Sequence, residues 1–136
     1  MRTVLLLLIS WVAGMAAYGV ALLVLRGEVL SLDNWRVIGS VTLVAWLVAS
    51  LLIIVPTLRL LLSRRSVDPR KGLFALTGAA LAIVPVWLNI GFWYGWDPRH
   101  LLIGEAGFLG VHYATSGLVL SLALARRAAP GERERG

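Results

Sequence analysis

Long apolar runs separated by short charged segments dominate this chain of 136 residues. Four runs of at least 20 residues stand out, at positions 4–25, 37–58, 72–96 and 101–125. This is the length that an α-helix needs to cross a hydrocarbon core of about 30 Å. Because lipid offers no partners for backbone polar groups, and because no run alternates apolar with polar residues as barrel strands do, the runs must be helices. The pattern predicts an all-α membrane protein with four transmembrane helices in an antiparallel bundle.

The segments between and after these runs are too short to form a second domain. We therefore assign residues 1–129 to one four-helix transmembrane domain and residues 130–136 to a short polar tail. A basic start and small residues within the first run leave a cleaved signal peptide as the alternative, with Ala16 or Ala17 at the cut. The retained helix is favoured because the apolar run continues to Leu25 without a break.

Composition supports the membrane class and removes several kinds of chemistry. Hydrophobic residues make up 59% of the chain and charged residues 15%, against roughly 25% charged residues in soluble domains. Cysteine is absent, which excludes disulfides, thiolate metal sites and cysteine nucleophiles. The net charge of +6 is distributed in a way that indicates membrane orientation rather than nucleic-acid binding.

The basic residues are divided unequally between the two sides of the predicted bundle. Ten lie on one side, namely Arg2, Arg59, Arg64, Arg65, Arg70, Lys71, Arg126, Arg127, Arg133 and Arg135. The opposite side has three, which are Arg26, Arg36 and Arg99. The positive-inside rule then predicts cytoplasmic N and C termini in a multi-pass protein of the cell inner (plasma) membrane. Aromatic residues gather at the predicted outer boundary, where such rings are favoured: Trp35, Trp93, Tyr94 and Trp96.

Turn residues indicate where the helices begin and bend. We expect a surface loop over residues 26–36, and a bend at Pro56 in a second helix that continues beyond its apolar run. Asp68-Pro69 and Asp97-Pro98 each have the pattern of a capping aspartate followed by proline at the first helical position.

The fourth run is the one that contains ionisable side chains, Glu105 and His112. At 100° per residue, Glu105, His112 and Ser116 fall on one polar face. The opposite face has small residues that permit close helix packing, namely Gly107, Gly110, Ala114, Gly117 and Ser121. A helix with a polar face and a small face should lie centrally, packed on both sides.

The third run offers a partner surface for this helix. Ala75, Gly78, Ala82, Pro85, Asn89 and Trp93 share one face of it. Helical rise places Asn89 and Glu105 at similar depths, so a hydrogen bond between them is feasible. Tyr18 and Ser40 lie at comparable depth, and we expect them to complete a polar pocket that opens outward.

Ionisable residues within membrane spans are costly, and the default hypothesis is an ion path, a proton relay or a ligand site. The structural alternative is that Glu105 is hydrated near the interface and that neutral His112 bonds another helix. We expect no metal site, because His100 and His112 lie about 18 Å apart along one helix. Nothing identifies a cofactor, and lipid, quinone or haem binding stays open. No catalytic motif is present, which favours a protein that is not an enzyme.

Two functions follow as hypotheses. In the first, the chain is a non-enzymatic subunit or scaffold, whose small-residue faces and tryptophans Trp11, Trp46 and Trp87 pack against other membrane subunits or further copies of itself. In the second, it is a small proton-coupled transporter or ion-conducting unit that uses Glu105 and His112, with Asn89 as an orienting partner.

Overall fold

Four helices make up the structure, a computed structural model that describes residues 2–63, 72–97, 99 and 105–128. They are α1 (Arg2–Arg26), α2 (Leu32–Ser63), α3 (Gly72–Tyr94) and α4 (Glu105–Ala128). No strand occurs within these ranges, so the predicted all-α class is confirmed. Helices α1, α2 and α4 are long and apolar enough to span a membrane, and α3 contributes a shorter described apolar stretch, Leu73–Leu88.

The connection between α1 and α2 is shorter than the sequence suggested. Helix α1 ends at Arg26 because Gly27 adopts a left-handed φ of 66° and donates its N–H to the Leu23 carbonyl. Helix α2 already begins at Leu32, where the Ser31 hydroxyl accepts the N–H of Asn34 as an N-cap. The expected loop over residues 26–36 is therefore wrong in its second half, which is helical.

The other predicted boundaries are close to those in the structure. Helix α3 ends at Tyr94 rather than at residue 96, because Gly95 has φ +85° and bonds back to the Gly91 carbonyl. Asp97 accepts the N–H of Arg99 at 2.9 Å, as a capping aspartate does. The matching Asp68 element, residues 101–104 of the fourth run and the tail at 130–136 lie outside the described residues.

Helix α2 contains a π-helical turn at Ser50–Ile54, directly before Pro56. Here the Val55 N–H bonds to the Ser50 carbonyl five residues back, in place of the usual four. Proline has no N–H and its ring presses on the preceding turn. The predicted bend at Pro56 stays a prediction, whereas the expected continuation of the helix beyond its apolar run is found, to Ser63.

Helix α4 packs between α1 and α3 and is antiparallel to both. On one side Gly14 of α1 meets Ser116 and Tyr18 meets Phe108; on the other side, Gly78 of α3 meets Gly117. Half of the most apolar part of α4 is buried, compared with 28% for α1 and for α2. The central position expected from the two faces of this helix is the one it occupies.

Helix α2 closes the bundle by packing along α1 and, through its π-turn, against α3. The main core is a single cluster of aromatic and aliphatic side chains from all four helices, with Leu7, Trp46, Ile54, Phe74 and Leu120 fully buried. A second cluster of Tyr18, Leu22 and Phe108, packed against Trp35, lies at the end that holds the α1–α2 turn. Segments before and after Ala16 both contribute to the core, so the whole of α1 is part of the bundle.

Candidate functional site

The candidate site is the contact between α1 and α4, which we call the polar seam and define by Gly14, His112 and Ser116. The His112 and Ser116 side chains are both fully buried, one helical turn apart on the face that meets α1. Ser116 Oγ donates to the His112 carbonyl at 2.9 Å. His112 and Ser116 of the predicted polar face thus lie inside the bundle, directed at another helix.

Gly14 makes this contact possible. A Cβ built on Gly14 would lie 2.5 Å from His112 Nδ1 and from the His112 carbonyl oxygen, and closer still to Ser116 Oγ. A side chain of any size on α1 would therefore displace the histidine or separate the helices. The sequence pattern did not indicate this role for Gly14. The signal that could have found it is a glycine at mid-span on the buried face of α1.

The His112 imidazole is unusual because neither ring nitrogen has a hydrogen-bond partner among the described residues. Nδ1 lies against the Gly14 backbone without a well-formed hydrogen bond, and the ring packs edge-on to Tyr113 at 4.7 Å between centroids. A buried polar group left unpaired costs about 1–3 kcal/mol. The buried ring thus lies against another helix, α1, at Gly14, and both the structural role of His112 and its role in a site stay predictions.

The other predicted site residues are not all assembled around His112. Tyr18 is buried in the second cluster, with its ring edge-on to Trp35 and Phe108. Ser40 is exposed on the outward side of α2 and donates to the Arg36 carbonyl, so its predicted place in an internal pocket is wrong. The buried face of this part of α2 consists of Gly39, Thr42 and Trp46, and Ser40 lies outside it.

The predicted pair of Asn89 and Glu105 remains a prediction. Both residues belong to helices whose backbones are described, Asn89 near the end of α3 and Glu105 at the start of α4. Their side chains lie outside the described part of the structure, and so does His100. In the part that is described, no three His, Cys, Asp or Glu side chains come together as metal ligands.

The small-residue faces of α3 and α4 meet each other. A Cβ on Gly117 would collide with the Gly78 carbonyl and lie 2.7 Å from Ala82 Cβ, and Ser121 Oγ reaches the Ala75 carbonyl at 3.4 Å. Gly110 faces Trp87, whose Nε1 would be 3.2 Å from a Cβ at that glycine. Gly107 and Ala114 of the same predicted face are half-buried. Gly78 and Ala82 of α3 with Gly117 and Ser121 of α4 thus form a contact within a single chain.

The three tryptophans predicted to pack against partner helices each contact another helix of the chain, with Trp46 fully buried and Trp11 and Trp87 half-buried. Trp46 is fully buried, donates to the Leu7 carbonyl of α1 at 3.0 Å and packs against Tyr113 at 6.2 Å between centroids. Trp11 donates to Thr42 of α2 at 3.2 Å. Indole N–H groups seek a partner when buried, and these two find it between α1 and α2. Trp46 and Trp11 therefore hold the chain's own helices together.

Two further buried groups lack partners among the described residues, Ser50 Oγ in the π-turn and Trp87 Nε1 beside Gly110. Ser50 lies on α2 and Trp87 lies on α3, so neither belongs to the polar seam, which is the contact between α1 and α4. His112 is distinct because a second polar side chain, Ser116, faces the same glycine.

Comparison of the chain with protein-family models, with curated proteins and with solved structures gives no match.

Proposed function

We propose that this chain is a small integral membrane protein that acts as a non-enzymatic subunit or scaffold of a larger membrane assembly. The observation that carries the proposal is a shallow apolar depression along the outward face of α2. Its lining residues are Ser40, Val41, Val44, Ala45, Val48, Ala49 and Ile53.

The depression combines features that favour another helix as its occupant. Ala45 and Ala49, one turn apart, lower the surface between exposed valines such as Val44 and Val48. In lipid, small residues at such a position allow a second helix to approach closely, and dispersion contacts then stabilise the pair. The internal small-residue faces are already occupied by the chain's own helices. The α2 face is thus our proposed contact with other membrane subunits or with a second copy of the chain.

We further propose an orientation with both termini in the cytoplasm, in the cell inner membrane. The division of basic residues, ten against three, supports it. Arg126 and Arg127 in the last turn of α4 are exposed, as residues that reach the aqueous phase should be. Arg26 and Arg36 are also exposed, at the opposite end of the bundle.

Purification of the tagged full-length chain from its native membrane in a mild detergent, followed by mass spectrometry, tests the proposal. We expect another membrane protein to be recovered in a fixed ratio. Ala45→Leu should fill the depression and abolish this recovery while the chain still accumulates in the membrane. Ala16→Leu, at an exposed position on α1, is the matched control and should leave it unchanged.

Two results would contradict the subunit proposal. One is recovery of the chain as a stable homodimer without other proteins. The other is equal recovery of partners with Ala45→Leu and with Ala16→Leu. If the chain is recovered as a homodimer and Ala45→Leu dissociates that homodimer, the α2 face is a self-association surface instead.

The alternative proposal is a small proton-coupled transporter or ion-conducting unit based on Glu105 and His112. The unpaired nitrogens of His112 favour it, because such groups can exchange protons when water reaches them. The complete burial of His112 favours the subunit proposal over the transporter proposal. Glu105→Gln in proteoliposomes separates the two, since only the transporter predicts a pH-dependent flux that this variant abolishes.

A further inference from the structure

The end of the bundle that holds the last turns of α2 and α4 has exposed arginines. Arg59 of α2 and Arg126 and Arg127 of α4 are exposed, and their guanidinium groups have no partner among the described residues. Arg59 directly follows Leu58 and Arg126 directly follows Ala125, and both of these neighbours belong to the main core cluster. The last part of α2 also contacts α4. The arginines therefore lie at the same end of one packed structure.

The arginines at the opposite end differ, because the chain itself supplies partners for them. Arg36 forms an ion pair with Asp33 at 3.5 Å. The Arg26 guanidinium carbon lies 4.7 Å from the centroid of the Phe108 ring, in a cation–π contact. Exposed guanidinium groups without such contacts are free to bind an anion that is not part of the chain.

The sequence shows that the chain has too few carboxylates to pair with the basic residues of the α2–α4 end. Ten basic residues belong to this end, and the acidic residues on the same side are three, namely Asp68, Glu132 and Glu134. Most of the basic side chains remain without an acidic partner even if each carboxylate pairs with one. A net positive charge thus persists at this end and favours an anionic ligand.

Exposed apolar side chains lie next to these arginines. Leu122 is 40% exposed and one helical turn before Arg126, so the two residues share a face of α4. On α2, Leu60 directly follows Arg59 and is 51% exposed, and Pro56, three residues before Arg59, is exposed as well. A ligand at this end therefore meets positive charge and apolar surface together, which suits an amphiphile.

We propose that this end of the bundle binds anionic phospholipids, whose phosphates are held by Arg59 on α2 and by Arg126 and Arg127 on α4. Guanidinium groups suit this ligand because their N–H donors form parallel hydrogen bonds to two phosphate oxygens. The acyl chains lie on the apolar surface that includes Leu60 and Leu122, which a soluble polyanion leaves uncovered. Binding requires that the chain is inserted in a membrane and does not depend on its subunit role. In the proposed orientation the lipid belongs to the cytoplasmic leaflet.

Native mass spectrometry of the purified full chain in detergent tests this site. The chain is incubated with phosphatidylglycerol and phosphatidylcholine that have identical acyl chains. Both lipids contain a phosphate, but only phosphatidylglycerol has a net negative charge. We expect the parent chain to retain phosphatidylglycerol preferentially, and we expect this preference to weaken as the ionic strength of the incubation rises.

Two double variants, each of which removes two positive charges, locate the site. Arg59→Gln with Arg126→Gln should lower the affinity for phosphatidylglycerol by roughly tenfold or more, because basic residues near a membrane surface each contribute to lipid attraction. Arg36→Gln with Arg99→Gln, at exposed positions of the opposite end, is the matched control and should bind as the parent does.

Inorganic phosphate distinguishes a lipid from a free anion. We expect a large excess of it to leave phosphatidylglycerol bound to the parent chain, because the apolar contacts hold only the lipid. The proposal is overturned if the parent retains both lipids equally, if inorganic phosphate displaces the lipid, or if the two double variants bind phosphatidylglycerol equally. The two measurements on the parent still decide if a variant fails to fold.

Discussion

At the scale of single residues, glycine decides where the helices of this bundle touch. Gly14 admits His112 and Ser116 of α4, and Gly117 admits the backbone of α3 at Gly78. Lipid tails are as apolar as the helix surfaces, so helix association in a membrane depends on close packing more than on the hydrophobic effect. Glycines at these contacts therefore contribute to stability because they allow the two helices to approach each other closely. The sequence already indicated Gly78 and Gly117 by their helical spacing.

The α3–α4 contact should respond strongly to a single methyl group. In Gly117→Ala the new Cβ meets the Gly78 carbonyl and Ala82 Cβ, and neither atom belongs to a flexible side chain. We expect this variant to lower the free energy of unfolding by about 1–3 kcal/mol, as overpacking does. Thermal unfolding in detergent measures the effect.

Gly39→Ala is the matched control for this prediction. Gly39 is also a buried helical glycine, but its new Cβ would be 3.6 Å from the nearest atom, in the Trp11 ring, which is ordinary contact. The control should unfold close to the parent temperature. Equal destabilisation of both variants would show that the spacing at Gly117 has no special role.

At the scale of elements, α2 has a burial pattern that a regular α-helix cannot maintain. Thr42, Trp46, Ser50, Ile54 and Leu58 are buried at every fourth position. In an α-helix each step of four residues rotates by about 40°, so the last of them would face away from the first. The π-turn at Ser50–Ile54 takes up one extra residue and returns the helix by about 100°. It therefore keeps both halves of α2 on the core.

This explanation predicts a difference between two single-residue deletions at lipid-facing positions. Deleting Leu52, which is 72% exposed, removes the extra residue of the π-turn and leaves Trp46 and Leu58 on the core side. Deleting Val44, which is 63% exposed, rotates everything after it by about 100° and takes Trp46 away from Leu7. We expect the chain without Leu52 to fold with reduced stability and the chain without Val44 not to fold.

Size-exclusion profiles and thermal unfolding of the two deletion variants provide the measurement. A single sharp peak with a cooperative transition is expected for the Leu52 deletion, and aggregation for the Val44 deletion. The assignment of a register role to the π-turn is wrong if the two deletions behave alike.

The helices could be predicted from the sequence where one rule decides, and not where several compete. Long apolar runs located all four helices, because charged side chains are costly in lipid and are rare within membrane spans. The Ser31 cap was missed because the charged Arg36 set the predicted start of the second helix at residue 37. Ser31 as an N-cap and Asp33 in the first turn both favour the earlier start that the structure has. Pro56 marks the region of the π-turn, but the extra residue could not be predicted, since the register it provides serves the burial of Ile54 and Leu58 by other helices.

At the scale of the whole molecule, α4 is the centre on which the other helices pack. Its face with His112 and Ser116 meets α1, its small face meets α3, and Trp46 of α2 reaches Tyr113. The central position followed from the two faces of α4 in the sequence. Which helix meets which face depends on packing over long separations, so Gly14 and the exposure of Ser40 were beyond the sequence pattern.

The central claim is that the chain crosses the membrane four times, with the α2–α3 connection on the cytoplasmic side. The chain contains no cysteine, so single cysteines can be introduced without a background. Cysteine labelling in intact cells and in permeabilised cells, with a reagent that does not cross membranes, is the most direct measurement. Glu28→Cys reports the α1–α2 turn, Ser66→Cys the α2–α3 connection and Asp97→Cys the end of α3.

The account predicts that Glu28→Cys and Asp97→Cys are labelled in intact cells, and that Ser66→Cys is labelled only after permeabilisation. Labelling of Ser66→Cys from outside, or of all three variants from one side, would contradict it.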